Sequence, residues 1–182
     1  MEHFYKKLGE AWFNYPELYS EMVKSSKNNS HFVEVGAWKG MSAAYMAVEI
    51  INSNKNIKFD CVDLWEYSDI QRDIEKNRYK DLYNIFLSNI KPVKHVINPI
   101  KMISWEAADL YKDESLDFVF IDAAHDYESV KKDINAWYPK IKKGGVIAGH
   151  DYFTSPSNVK RAVDEFFENI KTNGPCWVYN KI

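Results

Sequence analysis

Phe32-Val33-Glu34-Val35-Gly36-Ala37-Trp38-Lys39-Gly40-Met41-Ser42 is the stretch whose reading decides the fold. The run from His31 to Val35 reads as a short buried strand, and Met41 to Ile51 reads as a helix. Gly36 and Gly40 lie between them. A strand, a glycine turn and a helix in that order make a nucleotide-binding turn. The glycines let backbone approach a ligand, and the first helical turn offers unbonded N–H groups. The spacing is G-x-x-x-G, not the dinucleotide G-x-G-x-x-G. A tight structural turn uses the same two glycines, so both readings stand at this point.

Upstream, residues 4–14 and 16–26 read as two short helices broken at Tyr15-Pro16, a helical cap over residues 1–28. Downstream, strands are expected at about 57–63, 93–97, 116–122 and 146–151, with a closing strand near 176–181. Helices are expected at about 80–90, 105–111 (capped by Ser104), 128–137 and 158–170. Lys143-Gly144-Gly145 reads as a turn. The charged, irregular stretch 64–80, with the helix after it to residue 90, reads as a lid-like insertion. Strands alternating with helices imply an α/β doubly wound, mostly parallel sheet with helices on both faces, as one domain over 1–182. Right-handed crossovers put ligands at the carboxyl ends of such strands, beside strand one.

Composition narrows the function. With 182 residues, 46% hydrophobic and 27% charged, the chain can bury a sizeable core. A net charge of −2 argues against a nucleic-acid partner. The start lacks a signal-peptide pattern and no apolar run approaches a membrane span. Cys61 falls in an expected buried strand, so free thiols and a reducing, cytoplasmic setting are expected.

Polar residues gather at the expected strand ends. Asp63 ends strand two, 27 residues after Gly36, where a carboxylate can accept hydrogen bonds from ribose hydroxyls. Asp122 ends strand four, followed by His125 and Asp126, and His150-Asp151 end strand five. Asp122, His150 and Asp151 could hold a divalent cation: two carboxylates suit Mg²⁺ or Mn²⁺, and an imidazole shifts the preference toward Mn, Fe or Zn. His125 has the side chain for a general base. Trp38, Trp65 and Trp105 follow strand ends; one of them could stack on an adenine, and rim or core packing is the simpler role for each.

These residues resemble a family. Glu34 to Ser42 is similar to the first motif of class I S-adenosylmethionine-dependent methyltransferases, close to the E-x-G-x-x-x-G-x-S form of catechol and caffeoyl-CoA O-methyltransferases. Phe120 to Glu128, followed by Lys143 to Tyr152, resembles the macrocin/cephalosporin-type branch, which includes sugar O-methyltransferases. The resemblance covers roughly residues 30–170. It implies that Gly36, Ala37, Trp38 and Gly40 run beneath the methionine part of S-adenosylmethionine, with Glu34 supporting the loop and Ser42 facing the carboxylate end. It further implies that Asp63 and Leu64 meet the ribose, that Ser104 and Trp105 flank the adenine, and that Asp122 borders the cofactor. Asp122, His150 and Asp151 become ligands of Mg or Mn, with Asp122 and His125 catalytic. His125 stands three residues after the metal aspartate, where catechol-type enzymes carry a lysine.

Three features depart from the family pattern. Ala124 stands where sugar-modifying relatives often have an aspartate, and His150 stands where a carboxylate is usual. The sequence also shows one closing strand where the family has two. The expected activity is O-methylation of a sugar or other small hydroxylated molecule, with no nucleic-acid or membrane partner and room for a homo-oligomer. The alternatives are a non-catalytic S-adenosylmethionine-binding protein and a metal-independent N- or C-methyltransferase. A nicotinamide oxidoreductase fits poorly, since G-x-G-x-x-G is missing.

Overall fold

The structure is a computed structural model in which residues 1–9, 12–66, 81–154 and 158–182 are described. These residues form a seven-stranded sheet in the order β3-β2-β1-β4-β5-β7-β6. The strands are β1 (His31–Val35), β2 (Lys58–Asp63), β3 (Ile97–Lys101), β4 (Leu116–Ile121), β5 (Ile141–Gly149), β6 (Lys171–Asn173) and β7 (Cys176–Asn180). The first five pair in parallel; β7 runs antiparallel to both β5 and β6. The order reverses between β1 and β4, which makes their carboxyl ends the switch point of a Rossmann-like sheet.

Helices α1 (Pro16–Ser25) and α2 (Met41–Ser53) cover one face, with α3 (Leu82–Asn89) beside them. On the other face lie α4 (Ser104–Ala107), α5 (Tyr127–Trp137) and α6 (Asn158–Phe166). Strand periodicity sorts the residues. Phe118 and Phe120 face the α1/α2 side, while Val119 and Ile121 face α5 and α6. Both sets are buried, as expected of a covered parallel strand.

Several sequence expectations give way. Residues 4–14 are not a helix: the described part has a single 3-10 turn at Tyr5–Lys7, and Phe13 and Tyr15 are pinned instead by ring contacts with each other and with Tyr19. The third strand lies at Ile97–Lys101, not 93–97. Pro99 lies within it, which is tolerated because β3 is an edge strand, where a missing N–H costs no ladder bond. Ser104 does not cap α4; Ile103 holds that position and Ser104 is the first helical residue. Gly144-Gly145 is not a turn. It lies inside β5, where the register against β4 shifts, and Lys181 bonds both of its glycines through backbone. The closing unit has both its strands, β6 and β7, because the last helix stops at Phe166 and frees Lys171–Asn173 to pair. Of the expected lid, Trp65, Leu82 and Phe86 are core residues, and residues 67–80 lie outside the described set.

Cys61 and Cys176 are both buried free thiols. No described helix is long and apolar enough to cross a membrane.

Candidate functional site

Register builds the site. Val35 pairs with Val62 and with Ile121, and Ile121 pairs with Gly149. Gly36 N–H therefore donates to Val62 carbonyl, Asp122 N–H to Val35 carbonyl and His150 N–H to Ile121 carbonyl. Gly36, Asp122 and His150 thus stand in one row just past the sheet, with Asp63, the last residue of β2, beside Gly36.

The glycine turn is held from below and from the side. Gly36 and Gly40 have φ of +91° and +83°, in the left-handed region. A β-carbon on Gly36 would sit 2.1 Å from the Asp122 carbonyl oxygen, and one on Gly40 would sit 2.9 Å from Phe86 and Ile90. Asp63 Oδ2 accepts from Ala37 N–H at 2.9 Å and Trp38 N–H at 2.8 Å, while Oδ1 accepts from Trp65 N–H at 2.6 Å. Burial pushes the Asp63 carboxyl up, and these backbone bonds offset part of it. Asp63 is thus a brace for the turn, with lone pairs left for a further donor. Leu64 is half-buried next to it. Ala37 is buried.

Glu34 is buried beneath the turn and accepts from the Tyr19 hydroxyl at 3.1 Å and the Cys61 thiol at 3.6 Å. Burial lifts its pKa to about 7, against the pull of bonds from Ser42, Tyr19 and Cys61. Ser42, which the resemblance puts at the carboxylate end of the cofactor, is buried beside Glu34. Of the three tryptophans, Trp65 is a core residue that donates its indole N–H to Trp38 carbonyl at 2.9 Å. Trp38 stacks on the exposed Trp12, and Trp105 is half-buried under the Lys132 ammonium. The α5 helix packs against α4: the Trp137 indole N–H donates to Ser104 carbonyl at 3.1 Å. Asp126 has a structural role, capping α5 by accepting from Ser129 N–H.

The second half of the site is a charge cluster. Asp122, His125 and Asp151 each offer a ligand atom within 4.8 Å of the others. His125 Nε2 lies 3.4 Å from Asp122 Oδ1 and 3.0 Å from Asp151 Oδ2. His150 also faces both carboxylates, its Nδ1 3.6 Å from Asp122 and 3.3 Å from Asp151. The sequence had grouped Asp122 and Asp151 with His150; the tightest set contains His125 instead. Burial alone would raise the Asp122 pKa, but bonds from the two imidazoles hold it at about 2. Burial would depress His150, yet Asp122 and Asp151 lift it to about 9. The hydrogen bond to Asp122 also raises His125, against burial. Two carboxylates and two imidazoles can therefore neutralise one another. A cation entering among them would have to expel protons from the imidazoles. The donor set itself, two carboxylates with an imidazole, fits Mg²⁺ or, better, Mn²⁺.

Two site residues escape the sequence reading altogether. Tyr15 donates its hydroxyl to Asp122 Oδ2 at 3.0 Å across 107 residues of chain, and His150 Nε2 donates to Asn14 Oδ1 at 2.9 Å across 136. The one local sign is the pair of aromatics Phe13 and Tyr15 around Asn14 ahead of Pro16, which carries no spacing to any partner.

Comparisons with known proteins bear on this geometry. The protein is 30% identical over 131 residues to the uncharacterized protein R132 of Acanthamoeba polyphaga mimivirus, which covers 69% of this chain and 53% of that one. The chain thus spans about half the length of this relative. Among solved structures, the O-methyltransferase NovP is similar with a TM-score of 0.70 at 17% identity, over 91% of this chain and 78% of that one. CalS11, a TDP-rhamnose 3'-O-methyltransferase, is similar with a TM-score of 0.62 at 11% identity, over 91% and 76% of the two chains. At such identities these likenesses show the Rossmann-like methyltransferase fold. A family described as a methyltransferase domain matches residues 33–152, from the third residue of the glycine-turn strand β1 to the one after Asp151, and the chain belongs to that family.

Proposed function

We propose that the protein is an S-adenosylmethionine-dependent methyltransferase that methylates a hydroxyl of a small molecule, a sugar being the acceptor class the reading favours. The observation that carries this is the row at the switch point: a braced glycine turn on β1 adjoins a cluster of two carboxylates and two imidazoles on β4 and β5. The family supports the transfer chemistry. The sugar rests on the resemblance to sugar-modifying enzymes and on the fold shared with CalS11.

S-adenosylmethionine supplies a sulfonium methyl group for in-line displacement, which demands positioning and a deprotonated acceptor more than covalent help from the protein. The G-x-x-x-G turn and the first turn of α2 offer backbone to the methionine part, and Asp63 offers its remaining lone pairs to ribose hydroxyls. Ser104 and Trp105 offer the adenine a polar edge and a flat apolar wall. Glu34, bonded to Tyr19 and Cys61, supports the turn from beneath.

Asp122 and Asp151 would hold Mg²⁺ or Mn²⁺, with an imidazole as third protein ligand, and such an ion would lower the pKa of an acceptor hydroxyl. His150 suits the ligand role: its side chain is 12% exposed, and Asn14 fixes the proton on Nε2, which turns Nδ1 to the carboxylates. His125, 56% exposed, is the imidazole that an acceptor can reach, and it serves as base once neutral. A metal-independent reading draws on the self-neutralising charges of the cluster. Turnover that survives a chelator would favour it.

The test is a thermal shift with S-adenosylhomocysteine, with NADH as the control. Ligand at a hundredfold over its dissociation constant stabilises by about 2.7 kcal/mol, a shift of roughly 5–10 °C for a chain of this size. Methyl transfer from S-adenosylmethionine to a panel of sugars, read by mass spectrometry with and without chelator, then tests acceptor and metal. No shift with S-adenosylhomocysteine would overturn the reading.

A further inference from the structure

We propose that Tyr15 is a positioning residue for Asp122: its phenol occupies one carboxylate oxygen so that the other alone is presented to the site. This rests on the reading of Asp122 as a metal-holding residue. The geometry separates the two oxygens by role. Oδ2 accepts from the Tyr15 hydroxyl, while Oδ1 faces His125 and His150. A donor fixed on one oxygen holds the carboxylate plane and favours binding of a cation through the other oxygen only.

The phenol is locked for this task. Tyr15 is 3% exposed, and its ring packs on Phe120 at 4.6 Å, His150 at 4.9 Å and Phe13 at 4.8 Å between centroids. Proline at position 16 starts α1 directly after it, so the chain direction on its C-terminal side is fixed as well. Asn14 adds a second strut by accepting from His150. Burial, followed by the charge of Asp122, raises the phenol pKa well above its ordinary value, so it stays a donor. A core tyrosine needs a partner for its hydroxyl. Here the partner is the carboxylate of the site, although the chain could have used phenylalanine, as it does at Phe13, Phe118 and Phe120.

The experiment is calorimetric titration of Mn²⁺ into the full chain saturated with S-adenosylhomocysteine, comparing wild type, Tyr15→Phe and Tyr45→Phe. Tyr45 is the control because its hydroxyl bonds Ser20, away from the site. The expected result is Mn²⁺ binding about tenfold weaker in Tyr15→Phe. S-adenosylhomocysteine affinity should stay within about twofold, and Tyr45→Phe should match wild type. Unchanged Mn²⁺ affinity in Tyr15→Phe overturns the role of Tyr15 and leaves the metal site standing. Loss of S-adenosylhomocysteine binding in parallel overturns it too, as a general structural effect. A wild-type protein that binds no Mn²⁺ overturns the metal reading and this inference together.

Discussion

The carbonyl oxygen of Asp122 occupies the space where Gly36 would carry a side chain, 2.1 Å from the position of a β-carbon. The glycine turn and the charged strand end are therefore one packed unit. Gly36 is required by its neighbour strand before any ligand arrives. Gly36→Ala is expected to destabilise by about 3 kcal/mol or more, through strain at positive φ and displacement of β4. Urea unfolding checks this. Activity lost in that variant reports on the fold, not on cofactor contact.

Asp63→Asn separates bracing from ligand binding. The amide keeps one acceptor oxygen and turns N–H groups toward backbone N–H donors that the carboxylate now satisfies. A cost of about 2 kcal/mol is expected, with weaker S-adenosylhomocysteine binding. Calorimetry at a temperature well below the variant's melting point distinguishes the two effects.

Stability should fall as the solution turns from mildly acidic to alkaline. Glu34 and Asp133 each have a folded pKa of about 7, above their ordinary values of 4.5 and 3.8, first of all through burial. The stabilisation from such raised groups is fully present below the unfolded pKa and disappears as pH rises through 7. His150, at about 9 against 6.5, adds a loss as pH rises through 9. Asp133 is fully buried on α5 with neither oxygen in hydrogen-bond geometry, and only the Ser104 hydroxyl nearby pulls its pKa down. Asp133→Asn is therefore expected to gain about 3 kcal/mol on the wild type between pH 5 and pH 8.5. Urea unfolding at both pH values is the check.

Removing the charge of Asp122 should release both histidines. In Asp122→Asn, His150 is expected to titrate well below 9, toward 6.5, and His125 should move down with it. Histidine ring NMR across pH 5–10 reads both. Asp122→Ala with Asp151→Ala should abolish methyl transfer; full turnover in the double variant would remove the cluster from the mechanism.

The parts of the fold carried by local pattern were legible. The apolar runs of β1, β2 and β4 and the glycine turn placed the switch point, and with it Gly36, Asp63, Asp122 and His150, because strand-end residues line up once the register is parallel. What depended on long-range partners was hidden. Pro99 reads as a strand breaker until β3 is known to be an edge, and Gly144-Gly145 reads as a turn until Lys181 is known to lie against it. Asn14 and Tyr15 carry no periodicity, and the helices expected over 4–14 and 16–26 make Tyr15-Pro16 a break with no partner assigned. The sequence reading makes His150 the ligand and His125 the base, but that both imidazoles face the same two carboxylates shows only in side-chain placement.

The Asn14–His150 and Tyr15–Asp122 bonds also set an order of assembly. Tyr15 must wait for the end of β4, and Asn14 for the end of β5, before their partners exist. A nascent chain can therefore form the β1 turn and pack α2 while its charged centre is still incomplete. Closing contacts over 136 residues is slow compared with closing a helix or a hairpin. The same two bonds tie the earliest part of the chain to its latest strands, so the charged centre is complete only when the sheet is.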